Sequence, residues 1–449
     1  MEPKKAKFSS WLRNSITARM LVVGFLLLVL LIPLEFVKSL IAERSIRQQE
    51  VVQEINSSWG NEIVLSGPIL KVPYKTYKEE KVYIQKTKSY EIKTEEILNT
   101  AYIFPDVLNI ESSVANKKDA LKRGIYESVV YTADIDLNGS FPAIDLSEND
   151  IENKDIIWDK VTLLIQSSNT EGIQELTVQL GEQNFTMNSK LSNGYLNQLE
   201  SNLVDGLDVG NNVGMPFTVN MKINGSIGLQ FIPIGKETTV HMESDWPSPS
   251  HTGKYLPTDG SREGSENGFK ASWKVLQLNR RFEQQFFNVI PDLSEFAFGT
   301  KLIVTVDDYQ KSERTAKYGF MVIGLTLLVF LLIQLVSKIY IHPFQYVMIG
   351  LALVMFYTLL ISISEHSSFL KAYVIAAASV LGLIILYSRA ILRGFKFPLL
   401  IGISLASLYG FIYVIIQLEN YALLVGSIGL FAILAIIMFV SRKIDWGNE

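Results

Sequence analysis

Two patterns of apolar positions divide the chain. Between about residues 38 and 315, apolar and polar residues mostly alternate. The stretches "KVYIQKTKSYEI" (81–92), "DKVTLLIQ" (159–166), "ELTVQL" (175–180), "FTVNMKINGSIGLQFI" (217–232), "TTVHMES" (238–244) and "TKLIVTVDDY" (300–309) all show a period of two. They are rich in Val, Ile, Thr and Tyr and are bounded by Gly, Asn, Asp and Pro, which predicts strands. Asn224-Gly225 between alternating arms predicts a hairpin turn. On either side of this region the apolar runs are unbroken. Spanning a hydrocarbon core takes about 20 apolar residues. Six windows are long enough: 20–37, 318–337, 344–364, 369–387, 397–418 and 420–440. The pattern predicts a membrane bundle of six helices with a large β-rich insertion between the first and second.

The first span continues into "KSLIAERSIRQQEVVQEINSSW". Ile41, Ile46, Val51, Val52 and Ile55 fall roughly on one helical face, so an amphipathic helix is expected over about 38–57. The β-rich insertion is large enough for one sandwich or two smaller modules. The most turn-rich linker candidate is 193–214, and 253–273 reads as a long polar loop.

Charge orients the spans. Residues 1–19 carry Lys4, Lys5, Lys7, Arg13 and Arg19 against Glu2 alone. Lys338, the group Arg389, Arg393 and Lys396, and finally Arg442 and Lys443 recur on the same side, whereas the opposite short turns are poor in base. Lys371 dissents, and its long stem lets it snorkel to the interface. The positive-inside rule then places both termini in the cytoplasm. The expected order is a cytoplasmic tail (1–19), the first span (20–37), a β-rich periplasmic domain (38–315), a five-helix membrane domain (316–441) and a second cytoplasmic tail (442–449).

Composition removes several functions. The net charge is −4 with no basic stripe, which argues against nucleic acid as a partner. The chain has no cysteine, so disulfides, thiolate metal sites and cysteine nucleophiles are excluded. The four histidines, His241, His251, His342 and His366, are not at ligand spacings, and no metal or other cofactor is expected. Phosphate-cradling glycine motifs are missing. Gly402-Ile403-Ser404-Leu405-Ala406 looks like a serine-nucleophile motif, but His366 falls at the other end of its own span, roughly 20 Å away in depth at 1.5 Å per residue. The small residues from Gly402 to Gly410 suit close helix packing instead. No catalytic residue is assigned. Four N-x-S/T sequons, at Asn56, Asn138, Asn184 and Asn224, are at the number chance supplies.

One polar interruption stands out, Glu365-His366 in "ISISEHSSF" between the third and fourth spans. From Phe344 the helix climbs about 30 Å before reaching it, so the pair is expected at the membrane surface. It reads either as a polar helix end or as a docking or pH-sensing contact, and these are the candidate binding residues.

Several long strings resemble the CreD family of inner-membrane proteins. They are "HPFQYVMIGLALVMFYTLLISISEHSSFLKAY" (342–373), "SDWPSPSHTGKYLPTDGSREGSENGFKASW" (244–273), "DDYQKSERTAKYG" (307–319), "SGPILKVPY" (66–74) and "RGIYESVVY" (123–131). The resemblance implies a cell-envelope integrity protein of the inner membrane with a periplasmic domain, linked to envelope stress and to a CreB–CreC-type two-component system. It implies no catalytic or ligand-binding residue. Residues and resemblance together point to a non-enzymatic protein in the lipid bilayer that contacts envelope protein partners. The alternative is a transporter or lipid flippase with the outer domain as substrate receiver, although no charge interrupts the centres of spans two to six.

Overall fold

In hydrocarbon every backbone group must be satisfied within its own segment, so an uncharged apolar run of this length becomes a helix. The computed structural model describes residues 15–84, 89–117, 122–123, 125–191, 194–204, 214–258, 263–265, 267–302, 308–337, 339–392, 394–418 and 421–442. Lys4, Lys5, Lys7, Arg13, Lys338, Arg393 and Lys443 lie outside the described residues, as does part of each polar loop candidate. The chain separates into two units. One contains residues up to Glu50 and from Val306 onward, and the other contains Val51–Thr305.

The membrane unit has six helices long and apolar enough to cross a bilayer. They are α1 (Ile16–Trp59, whose last turns belong to the other unit), α3 (Gly319–Ser337), α4 (Pro343–Ser364), α5 (Phe369–Leu392), α6 (Lys396–Gln417) and α7 (Ala422–Ser441). A short helix, α2 (Asp308–Lys317), precedes α3. The expected amphipathic helix is therefore the uninterrupted end of α1. Its covered positions are Ile41, Ser45, Gln48, Val52 and Ile55, whereas Ile46 is exposed on the opposite side. Residues 308–315, expected to continue a strand-rich domain, instead form α2, which buries Tyr309, Ser312, Thr315 and Ala316 on one face.

Leucines set into glycines hold α1 to the bundle. Gly319 faces Leu34, Gly324 faces Leu27, and a Cβ at Gly350 would collide with Leu30. Without a hydrophobic driving force between helices in lipid, such close approach supplies the contact energy. Bulky aromatics fill the centre of α4, α5 and α6. The Phe356 ring lies 4.5 Å from that of Tyr409 and 5.4 Å from that of Tyr373.

The β unit has two large sheets and, among the described residues, one small two-stranded sheet, Lys122–Arg123 with Tyr126–Glu127. Among the described residues, nine strands form the first, with Ile63–Ile84 (β1) and Ser89–Ile103 (β2) as its longest pair, and eight form the second. In the second sheet Val107–Asn116 buries Leu108, Ile110, Ser112 and Val114 and exposes the residues between, the pattern of a half-covered strand. Both sheets contribute to one hydrophobic core that includes Trp273, Phe104, Phe141, Phe231 and Phe298. The unit is thus a single sandwich rather than two modules.

Two local expectations are corrected. "KVYIQKTKSYEI" is not one strand but the end of β1 and the start of β2, with 85–88 between them outside the described residues. Asn224-Gly225 forms no hairpin turn. Both residues lie inside the strand Met215–Ser226, paired with Thr132 and Tyr131. The chain instead leaves this sheet for the other at Ile227, whose φ of 67° is unusual for a branched residue. Tertiary contacts hold it there. The Tyr131 hydroxyl donates to Gly228 O at 2.7 Å, and Leu302 N donates to Ile227 O at 2.7 Å. Gly225 is required because the Tyr131 ring occupies the space a side chain would need. Burial, and then the charge of Glu62, push the Tyr131 hydroxyl far above its ordinary range, so it remains a donor. Tyr131→Phe should therefore destabilise the β unit by about 1–2 kcal/mol. Gly225→Ala should cost more, up to ~3 kcal/mol through overpacking. Tryptophan-fluorescence unfolding of the full-length protein checks both.

Candidate interaction sites

Glu365 is the C-terminal cap of α4, where its backbone N–H donates to Ile361 O at 3.2 Å. A carboxylate there is unfavourable against the helix dipole, and two neighbours offset that. The Tyr309 hydroxyl of α2 donates to Glu365 Oε1 at 3.1 Å, and Arg44 Nε of α1 lies 3.8 Å from the same oxygen. The Glu365 side chain is only 15% exposed, against 47% for Arg44. A second clasp sits beside it. Lys311 of α2 lies 3.6 Å from Asp308 and 5.7 Å from the centre of the Phe369 ring, at the first residue of α5. Three segments far apart in sequence thus meet at one turn. The adjacent pair divides its labour, because His366 is exposed and its ring has no hydrogen bond or ion pair among the described residues. The structure joins Glu365 to a network and leaves His366 outside it.

The remaining histidines are dispersed. His241 bonds Ser272 at 2.7 Å, His251 bonds Thr300 at 3.0 Å between the rings of Trp273 and Phe269, and His342 caps α4 by accepting from Phe344 N at 3.2 Å. Among the described residues no cluster of three or more potential metal ligands occurs. Two hydrogen-bonded contacts inside the bundle join uncharged groups. The Tyr346 hydroxyl donates to Gln334 at 2.6 Å, and the Tyr373 hydroxyl donates to Tyr409 O at 2.7 Å. The Asn56 sequon lies on a buried side chain that accepts from Ser128 at 2.5 Å.

The sequence did not reveal one exposed apolar feature of the β unit. β1 and β2 pair with each other from Leu70–Ile103 out to Ile84–Ser89. Other strands pair with β1 only up to Lys71, and with β2 only at Ala101–Ile103. An isolated β-bridge, Tyr74–Ile156, marks the base of the free portion. Beyond it a two-stranded ribbon projects for about 30 Å at ~3.3 Å per residue. Directly opposed residues share a face. One face therefore carries Tyr83 against Tyr90, with ring centres 5.1 Å apart, then Lys81 against Ile92, Tyr77 against Glu96 and Lys75 against Leu98. Tyr90 is 71% exposed, Leu98 64% and Ile92 58%. At the base, a hydrogen bond to Asp155, together with some burial, raises the Tyr77 hydroxyl above its ordinary range. A period-two pattern looks the same in a strand covered by a sheet and in one that projects from it.

The sequence profile of the family described as "Inner membrane protein CreD" matches residues 15–447. The inner membrane protein CreD of Escherichia coli (strain K12) is 30% identical over 428 residues, which cover 93% of this chain and 91% of that protein.

If the Glu365 network holds three segments together, its members are energetically coupled. Tyr309→Phe and Glu365→Gln should each lower the melting temperature in detergent, and the double variant should lose less than their sum, with a coupling of ~1 kcal/mol. His366→Ala should leave the melting temperature unchanged.

Proposed function

Because the chain belongs to the CreD family of inner membrane proteins, we propose that it serves envelope integrity without catalysis, by contacts that its β unit makes with envelope proteins on the periplasmic side. It acts in the same process as a CreB–CreC-type two-component system. The observation that carries this reading is the β1–β2 ribbon. Two-stranded ribbons are marginally stable alone, and free strand edges with exposed aromatic and aliphatic residues are templates for added strands. Natural proteins blunt such edges, and here Lys78, Glu79, Glu80, Lys81, Lys93, Glu95 and Glu96 surround the apolar residues. Mixed charge keeps the ribbon soluble and leaves Tyr83, Tyr90 and Ile92 available for a partner's apolar surface or strand edge. Support for the periplasmic side comes from Arg389, Lys396 and Arg442, which flank α5, α6 and α7 at the ends away from the Glu365 turn. Transport is the second reading. It is favoured by an apolar slot within the bundle, but no Asp, Glu, Lys, Arg or His lies at mid-depth in the described spans to couple a substrate or ion.

Two experiments test this. The chain contains no cysteine, so Leu278→Cys, at a position 93% exposed, gives a single reporter. A membrane-impermeant maleimide should label it in cells whose outer membrane alone has been opened. Labelling only after lysis would place the β unit in the cytoplasm. A photoreactive benzophenone side chain at Tyr90 should give discrete protein adducts in intact cells, and one at Leu278 should not. Tyr83→Ser/Tyr90→Ser/Ile92→Ser should sensitise cells to detergent. An adduct-free ribbon together with wild-type sensitivity in the triple variant would refute the partner-contact reading.

A further inference from the structure

The helices α3, α6 and α7 enclose a cavity of about 460 Å3. Leu325 and Val329 of α3, Leu408 of α6, and Ile433 and Ile437 of α7 line it. No charged residue does, and the polar atoms in its side-chain lining are the hydroxyls of Thr326, Ser404 and Ser407.

Its shape follows from how α6 and α7 meet. Near the start of α7 they touch, because the Phe411 ring occupies the place of a side chain at Gly429, and Ile415 lies 3.8 Å from where a Cβ of Gly426 would be. Further along the pair the walls separate. The lining runs from Gly429 to Ile437 on α7 and from Ile401 to Phe411 on α6, which is about 12–15 Å along the helix axes at 1.5 Å per residue. The slot is thus elongated and apolar along its length, the form of a groove that a stretch of methylene chain can follow.

The choice of occupant is chemical. Water needs two to four polar partners at each site, and hydroxyls in membrane helices commonly bond their own backbone. An unfilled slot would forfeit the dispersion contacts of its whole lining. Its surroundings are hydrocarbon, and none of the described α7 residues is buried, so this wall can admit material from the side. We infer that the slot between α3, α6 and α7 is a binding site for one acyl chain of a membrane phospholipid. It is separate from the ribbon and does not depend on the ribbon having a partner.

Reconstitution of the full-length protein in vesicles of phosphatidylethanolamine and phosphatidylglycerol tests the site. The probe is phosphatidylethanolamine bearing a diazirine in the middle of one acyl chain. After illumination, adducts should concentrate on peptides containing 401–411 and 429–437. They should be lost in Ala432→Phe, which fills the slot, and kept in Leu424→Phe, which adds the same ring to α7 outside the lining. Adducts spread evenly over the spans and unaltered by Ala432→Phe would overturn the site, as would cross-links to a second copy at these positions. Should Ala432→Phe fail to fold, a spin label on the single cysteine of Ser404→Cys decides. Relaxation by oxygen in preference to a water-soluble nickel chelate supports an acyl-chain slot, whereas stronger relaxation by the chelate shows a wet path and overturns it.

Discussion

Hydrocarbon offers a peptide bond no hydrogen-bonding partner, and the membrane unit follows from that constraint. Each span satisfies its own backbone as a helix, so the side chains are left to decide how the helices meet. They do so mainly by fit. Leu27, Leu30 and Leu34 of α1 enter spaces that Gly324, Gly350 and Gly319 leave open. Some polar groups inside the bundle are neutral and paired, as with Tyr346 and Gln334. The charged groups that do engage stand at the membrane edge, where Glu365 meets Tyr309 and Arg44. The desolvation cost of a charge is least there, and the energy of a hydrogen bond is still useful.

The β unit answers to the opposite solvent. Its strands gain by covering one face, and a single core joins both sheets. One passage between the sheets is under backbone strain. At Ile227 the chain adopts a left-handed backbone that its own side chain disfavours, and hydrogen bonds from distant residues sustain it. Regular alternation builds most of the unit, and Ile227 marks one of several places where the chain passes from one large sheet to the other.

This division explains what the sequence made legible. Uncharged runs of sufficient length were readable as spans because hydrocarbon tolerates little else; five of the six helices end within about five residues of the runs, and the first continues past its run to Trp59. Alternation identified strands for a similar reason. Asn224-Gly225 misled because local turn preference is weak beside the Tyr131 ring packed against Gly225. Helix α2 was hidden because "DDYQKSERTAK" is too short and polar to show a clear period, and its buried face, Tyr309, Ser312, Thr315 and Ala316, carries hydroxyls rather than aliphatic groups. The Glu365-His366 pair was visible as an interruption, and its position at a span end was correctly read. The difference between its members depends on Arg44 and Tyr309, which no local pattern connects to it. The slot among α3, α6 and α7 was equally illegible, since a missing side-chain volume leaves no mark on hydropathy.

The order of synthesis gives α1 a particular history. Its packing partners begin at Gly319, and 260 residues separate that position from Trp59. At ~5–20 residues per second, a ribosome takes on the order of tens of seconds to cover that distance. During this interval α1 must reside in the bilayer by itself, as a lone anchor without the glycine surfaces it will later meet. Only 17% of the residues in its most apolar window end up buried, so most of them keep some lipid contact throughout. The helix that enters first is thus one that loses little by waiting.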